Sequence, residues 1–346
     1  MDALWADLLA RGTRAPGFRL VRDGATLPAS SYCRRAGIGH GSVDDVIQPN
    51  RVLELYAEGA TVVLQGLQFT DPHLARVANN LALELDQAVQ VNAYLTPASA
   101  RGLELHFDYH DVFVVQLDGE KHWRVWEPLE RTRDPVREAR VPMPTWDELG
   151  EPALELTLTA GDCLYLPRGF PHAAAALERS SAHLTIGILA TTWQQAMRHA
   201  LDEAVAAGAL RGSVRPGAEP PSLALLAEQL DPVAIERWRL RSIWRRQPAT
   251  RLRPLAPARP DDTTPLRVTP GPLVWLDCAA DTAQLGLGDR VLTMPAAAHP
   301  LLVAVLRSEG PVTIAGLRDA SGLDAESART VVQRLVVEGL LAPADG

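Results

Sequence analysis

The chain has 346 residues, of which 47% are apolar and 22% charged, and its formal net charge is −8. This length predicts two or three domains, and the composition excludes a disordered or low-complexity chain. The acidic balance argues against a surface that coats nucleic acid and weakly favours a basic partner.

The cysteines and the N-terminal residues predict a soluble protein of the cytoplasm. Cys33, Cys163 and Cys278 are far apart and form no CxxC pair, which argues against disulfides and a zinc ribbon. The start MDALWADLLARG has acids where a signal peptide has bases. No apolar run reaches the roughly 18 residues that a membrane-spanning helix needs.

Up to about residue 190, short segments with alternating apolar residues are separated by turn residues, which is typical of strands. Many short strands in this spacing predict a β-sandwich or small barrel of the jelly-roll kind. The predicted strands are TVVLQGL (61 to 67), VFVVQL (112 to 117), HWRVWEP (122 to 128), LELTL (154 to 158), CLYLP (163 to 167) and HLTIGIL (183 to 189).

After residue 190 the sequence pattern changes from strands to helices and linkers. Residues 191–246 carry apolar residues at a spacing of three to four, which predicts a helical hairpin or bundle. Composition breaks lie at 212–222 and at 247–272, and the proline-rich second break predicts an interdomain linker without helix or central strand. The order helix, short strand, helix, turn, helix after residue 298 is typical of a winged-helix module.

The stretch HFDYHDVFVVQLDGEKHW, residues 106 to 123, concentrates the chemically active side chains. It holds Lys121, the single lysine of a chain with 33 arginines. Asp118-Gly119 predicts a two-residue hairpin of type I′, which would place Lys121 opposite Gln116. If the first strand extends back to residue 106, alternation puts three more side chains on the same face, namely His110, Asp108 and His106.

A histidine and a carboxylate two residues apart, joined by a second histidine from another strand, make the facial ligand set of non-haem Fe(II) oxygenases. The segment GDCLYLPRGFPHAAA, residues 161 to 175, supplies the candidate third ligand His172, which follows a Pro-Arg-Gly bend. Asp108 with His110 satisfies the alternation as well as His106 with Asp108 does. The residues alone leave both pairs open.

The chain resembles the jumonji C oxygenases, and within them the ribosomal oxygenases, which hydroxylate arginine in bacterial and histidine in eukaryotic ribosomal proteins. The resemblance lies in NAYLTP (92 to 97), HFDYHDVFVVQLDGEKHWRV (106 to 125) and GDCLYLPRGFPHAA (161 to 174), in that order. It implies a double-stranded β-helix (cupin) oxygenase domain at 1–190, a helical dimerisation region at 191–250 and a winged-helix domain at 265–346.

The resemblance also implies a site and a function. His106, Asp108 and His172 would be the catalytic iron ligands, and His110 would line the pocket. Lys121 would bind the distal carboxylate of 2-oxoglutarate, which a compact ammonium can reach end-on, and Asn92 would line the co-substrate pocket. We therefore expect a homodimeric Fe(II)- and 2-oxoglutarate-dependent hydroxylase of an arginine or histidine in a ribosomal protein.

Other interpretations stay open at this point. The chain could be an oxygenase of a biosynthetic peptide or small molecule, or a non-catalytic cupin scaffold or regulator. His183, Tyr165 and Arg168 could serve the site or only the fold. The arginine-rich run with Trp238 and Trp244 at 236–253 could form a nucleic-acid patch, but helix packing at a dimer interface with solvated arginines is the expected role. Residues 298–346 carry four arginines against six acids, a net charge of −2, which argues against direct DNA binding.

Overall fold

The computed structural model describes residues 14–208, 231–248, 252–271, 275–288 and 290–344. The chain divides into two compact units, one of residues 1–82 and 87–192, the other of residues 83–86 and 193–346. The composition break predicted at 212–222 lies outside the described residues. Within the described ranges, every helix is too short or too polar to cross a lipid bilayer.

The first unit is made mainly of antiparallel strands, as the alternating sequence predicts. Its described helices are α1 (Pro49–Ala57) and α2 (Pro72–Leu85), the latter ending in the second unit. Its described strands are β1 (Phe18–Arg22), β2 (Ala25–Thr26), β3 (Cys33–Ile38), β4 (Gly41–Ile47), β5 (Thr61–Leu64), β6 (Ala88–Thr96), β7 (Asp111–Asp118), β8 (Lys121–Val125), β9 (Leu154–Leu158), β10 (Cys163–Leu166), β11 (His172–Ala176) and β12 (Ser181–Leu189).

Two sheets enclose the interior of this unit. One has the strand order β10-β7-β12-β6-β5-β1-β2 and the other the order β11-β8-β9. Their inward side chains form one buried cluster, to which Val112 and Val114 of β7 and Trp123 and Val125 of β8 contribute. Burial of alternate residues on both sheets gives the two-layer arrangement predicted from the sequence.

The predicted hairpin at Asp118-Gly119 is wrong. β7 pairs with β10 and β12, and β8 pairs with β11 and β9, so neither strand has an edge left for the other. Gly119 has a φ of 65°, whereas Asp118 is not among the residues with positive φ, and a type I′ turn requires both. The chain instead crosses between the sheets, and Gln116 and Lys121 both point into the interior.

The predicted extension of β7 back to residue 106 is also wrong, because β7 begins at Asp111. Residues 99–106, called the strap below, run beside β11 instead. The N–H of Ser99 donates to the carbonyl of Leu177 at 2.7 Å, and Arg101 and His106 form antiparallel bridges with Ala175 and His172. The strap thus brings its C-terminal histidine to the start of β11.

The second unit combines helices with small sheets. Its described helices are α3 (Trp193–Ala206), α4 (Pro232–Trp244), α5 (His299–Arg307), α6 (Ile314–Ser321) and α7 (Ala325–Val337). Its described strands are β13 (Leu266–Val268), β14 (Trp275–Cys278), β15 (Thr282–Leu287), β16 (Arg290–Pro295) and β17 (Leu341–Pro343). The described part of 247–272 holds no helix and only β13, which pairs with β17 in a two-stranded sheet, as the prolines predict.

Candidate metal centre and its cavity

Three side chains able to bind a metal meet in a cavity between the two sheets. One donor atom from each of His106, Asp108 and His172 lies within 4.8 Å of the other two. Nε2 of His172 is 3.9 Å from Oδ2 of Asp108, and the two imidazole centroids are 4.3 Å apart. Two imidazoles and one carboxylate at these separations suit a single ion.

Backbone pairing brings these residues together. The N–H of His172 donates to the carbonyl of His106 at 2.8 Å, and the reverse bond measures 3.2 Å. The carbonyl of Asp108 accepts from the N–H of Gly169 at 2.9 Å. Gly169 has a φ of +85°, and a Cβ there would lie 2.0 Å from the carbonyl oxygen of Thr132, so this bend requires glycine.

Hydrogen bonds fix the tautomer of both histidines. Nδ1 of His106 lies 2.7 Å from the carbonyl oxygen of Glu104, and Nδ1 of His172 lies 3.0 Å from that of Phe170. A carbonyl oxygen only accepts, so each Nδ1 carries the proton and each Nε2 keeps its lone pair for a metal. Burial, aided by His106, lowers the pKa of His172 to about 4, which keeps this imidazole neutral.

Lys121 lies in the same cavity and is 3% exposed. Its Nζ donates to Oγ1 of Thr96 at 3.3 Å, and no carboxylate of the described residues pairs with it. Burial lowers the pKa of Lys121 to about 7. A buried ammonium without a counter-charge is costly, so a bound anion would stabilise this group.

A glycine of the strap lies beside the ammonium. A Cβ added to Gly102 of the strap would lie 3.7 Å from Nζ of Lys121, 3.6 Å from Oγ1 of Thr96 and 3.4 Å from Oγ1 of Thr61. We call these four residues the proposed diacid pocket. Because Gly102 has no side chain, residue 102 does not fill the position next to these two hydroxyls and the ammonium.

Aromatic and apolar side chains complete the cavity. The ring of His183 stacks on Tyr94, with centroids 4.9 Å apart and planes 4° apart, and meets the edge of Trp123 at 5.7 Å. Burial and then the charge of Lys121 hold the pKa of His183 well below its usual value. The apolar lining comprises Leu103, Val112, Val114, Leu166 and Ala174.

Two residues that were predicted to line the pocket, Asn92 and His110, are not among the described residues that line the cavity. Asn92 shares a face of β6 with Tyr94, and its Oδ1 accepts from the N–H of Gly66 at 3.1 Å. The ring of His110 lies against Gly187, where a Cβ would come within 2.6 Å of it.

The candidates Tyr165 and Arg168, and also His122, are not among the described residues that line the cavity. The hydroxyl of Tyr165 and the N–H of Arg168 donate to the carboxylate of Asp111 at 3.0 and 3.2 Å. Nε2 of His122 lies 2.9 Å from a carboxylate oxygen of Glu155. The guanidinium of Arg168 donates to the carboxylate of Asp134 at 2.8 Å.

Sequence reasoning missed Tyr94 and Gly102, which line the cavity, and Thr96, which accepts a hydrogen bond from Nζ of Lys121. Tyr94 and Thr96 lie two and four positions after Asn92 in β6, so strand alternation would have put them on its face. Gly102 carries no comparable local signal, because its place beside Lys121 depends on how the strap pairs with β11.

Comparison with known proteins supports the family resemblance of this chain. Residues 63–196 match the family model described as the JmjC domain. The bifunctional lysine-specific demethylase and histidyl-hydroxylase NO66 of Dictyostelium discoideum is 35% identical over 159 residues, which cover 45% of this chain and 31% of that protein. Ribosomal oxygenase 1 of Danio rerio is 36% identical over 169 residues, covering 48% and 30%. The chain spans about a third of the length of these relatives.

Solved structures extend the likeness in fold. Escherichia coli ribosomal oxygenase YcfD is 20% identical, with a TM-score of 0.53 over 99% of this chain and 90% of that one. YcfD in complex with cobalt and 2-oxoglutarate also has a TM-score of 0.53, at 19% identity, over 99% and 89%. The resemblance to the jumonji C oxygenases that was stated from the sequence is confirmed over residues 63–196, which match the JmjC domain model.

Proposed function

We propose that this chain is an Fe(II)- and 2-oxoglutarate-dependent hydroxylase of an arginine or histidine side chain in a ribosomal protein. The observation that carries the proposal is the meeting of His106, Asp108 and His172 in the cavity that also buries Lys121. The names of the similar proteins, ribosomal oxygenase and histidyl-hydroxylase, support this reaction and substrate class.

Both cofactors fit the residues present. Two imidazoles with free Nε2 lone pairs and one carboxylate are suitable ligands for Fe(II). 2-Oxoglutarate is a diacid, and its distal carboxylate would supply the counter-charge that Lys121 lacks among the described residues. Asn92, on the face of β6 that also carries Tyr94, remains a predicted co-substrate contact.

When bound, Fe(II) and 2-oxoglutarate supply the oxidising chemistry that couples decarboxylation to succinate with insertion of one oxygen atom into a C–H bond. The chain positions and shields this chemistry. Backbone bonds to Glu104 and Phe170 hold the two imidazoles in one orientation. Lys121 and Thr96 would orient the co-substrate, and the buried side chains of Val112 and Val114 would keep water out.

Replacement of one ligand tests the activity. His106→Ala removes a donor atom and should reduce 2-oxoglutarate-dependent succinate formation to background, measured on the purified full chain. His122→Ala, on the opposite face of β8 from Lys121, is the matched control and should leave turnover unchanged. Unimpaired succinate formation by His106→Ala would refute the proposed function.

The substrate requires a separate experiment. Intact masses of ribosomal proteins from cells with and without this gene should differ by one oxygen atom in one protein. Identical masses in all of them would instead favour the alternative of a biosynthetic peptide or small-molecule substrate.

We also propose the architecture implied by the resemblance, with a helical dimerisation region at 191–250 and a winged-helix domain at 265–346 that serves protein interaction or structure rather than DNA binding. Support for a homodimer comes from α3, which exposes Trp193, Met197 and Leu201 at a spacing of four residues on one face. The succession α5, α6, α7 and β17 supports the winged-helix assignment.

A further inference from the structure

His183 carries a buried polar atom whose partner is missing. The residue is 3% exposed, and its Nδ1 forms no hydrogen bond within the described ranges of the chain. Nearly all buried polar groups of native proteins are hydrogen-bonded, so an unsatisfied one indicates a missing water, ion or ligand. The proposed metal ligands and Lys121 do not use this atom, although His183 lines the same cavity.

Packing holds the His183 ring where it is. The ring lies parallel to Tyr94 at 4.9 Å and at right angles to Trp123 at 5.7 Å. The strand pairing of β12 with β7 shifts register between Ala182 and His183, and such a bulge re-aims a side chain. The two ring contacts and the bulge therefore hold the imidazole of His183 in one orientation within the cavity.

The surrounding charges determine which ligand suits this ring. The charged group that acts on His183 is Lys121, while Tyr94 directs its hydroxyl to Thr185 and Arg19. Burial and the neighbouring ammonium both keep His183 neutral. A neutral imidazole can donate one N–H to an anion without placing a second positive charge beside Lys121.

We propose that His183 is a further co-substrate-binding residue, donating its Nδ1–H to the same distal carboxylate that Lys121 binds. This inference rests on the proposed function and deepens it. The distal carboxylate would then receive hydrogen bonds from a charged and a neutral donor, and the preference of the site for a diacid would depend on both.

Binding of two 2-oxo acids tests the proposal. The full chain is loaded with Co(II) without oxygen, and the dissociation constants of 2-oxoglutarate and 2-oxobutanoate are measured by calorimetry. 2-Oxobutanoate keeps the keto acid end but lacks the distal carboxylate. His183→Phe keeps a ring for stacking and removes the donor, whereas His183→Asn places an amide nitrogen at the distance of Nδ1 from the backbone. His122→Phe is the matched control.

His183→Phe should weaken 2-oxoglutarate binding about tenfold or more and leave 2-oxobutanoate binding unchanged, while His183→Asn should restore most of the loss. Equal weakening of both ligands would show a structural role, and unchanged binding of both would show no role. Either result overturns the inference while the proposed function stands. If the unsubstituted chain bound neither 2-oxo acid, the proposed function itself would fail.

A measurement on the unsubstituted chain tests the same inference if a variant does not fold. In ¹⁵N-histidine spectra of the Zn(II)-loaded chain, 2-oxoglutarate should shift the Nδ1 resonance of His183 toward a hydrogen-bonded donor. 2-Oxobutanoate should leave this resonance in place. The same response to both ligands would overturn the inference.

Discussion

Lys121 is the single lysine among 34 cationic residues, and its burial explains why the residue type matters. A buried ammonium shifts its pKa readily, whereas a guanidinium stays charged. The pKa of Lys121 falls to about 7 because desolvation disfavours its charged form. The proposed diacid pocket therefore titrates near neutral pH, which an arginine at this position would prevent.

This pKa predicts that 2-oxoglutarate binding weakens as the pH rises above about 7. Below that pH, Lys121 of the free protein is already charged, whereas above it the ligand binds only with uptake of a proton. The dissociation constant should then rise about tenfold per pH unit. Calorimetry from pH 6 to 9 in buffers of different ionisation enthalpy measures the dissociation constant and the proton uptake on binding. Lys121→Arg should flatten the profile, and a flat profile in the unsubstituted chain would contradict the prediction.

A second residue-scale prediction concerns Gly102. Gly102→Val would place an isopropyl group in the space beside Nζ of Lys121, where a Cβ alone lies 3.7 Å away. The KM for 2-oxoglutarate should rise at least about tenfold, while Co(II) affinity measured by absorbance stays the same. Gly150→Val is the matched control, because nothing lies within 4 Å of a Cβ at that position. An unchanged KM in Gly102→Val would show that the co-substrate lies elsewhere.

At the scale of elements, the connection between β7 and β8 shows why a local turn signal fails. Asp118-Gly119 has the composition of a hairpin, but each flanking strand pairs more extensively with other strands. The carboxylate of Asp118 accepts from the N–H of Gly119 at 2.9 Å, which stabilises the bend that carries the chain between the sheets. Gly119 is needed for close approach as well, since a Cβ would lie 2.0 Å from the carbonyl oxygen of Ser180.

Gly119→Ala should therefore destabilise the protein by at least about 3 kcal/mol, through left-handed strain and the clash with Ser180. Gly39→Ala has a similar φ of +57° with nothing within 4 Å, and should cost only about 1 kcal/mol. Chemical denaturation followed by tryptophan fluorescence measures both values. Equal losses would mean that strain alone, without the clash, determines the stability at Gly119.

At the scale of the whole molecule, the two units carry different features. The first unit contains the candidate metal donors and the proposed diacid pocket, and the second exposes the apolar residues of α3. Trp193 is 72% exposed, Met197 44% and Leu201 40%. Apolar side chains in such a row on a helix are typical of a protein contact, and the proposed occupant is a second copy of the chain.

The double substitution Met197→Glu with Leu201→Glu should weaken the proposed dimer at least about 100-fold, because two charges would be buried at the contact. Analytical ultracentrifugation over a range of protein concentrations measures the change. Arg198→Glu, exposed on the same helix, changes the net charge by the same amount and is the matched control. A chain that sediments as a monomer without substitution would contradict the dimer.

Much of the proposed site and most of its strands could be predicted from the sequence. Ligand types and a period of two are local properties, so the alternation of VFVVQL and the candidates His106, Asp108, His110 and His172 follow from the residues, and the resemblance then selects three of the four as ligands. The pairing of the strands depends on the folded chain, since a strand takes the partners that bury its side chains and fill both its edges. For the same reason, only the fold showed that the strap brings Gly102 to Lys121 and that Nδ1 of His183 has no hydrogen-bond partner among the described residues.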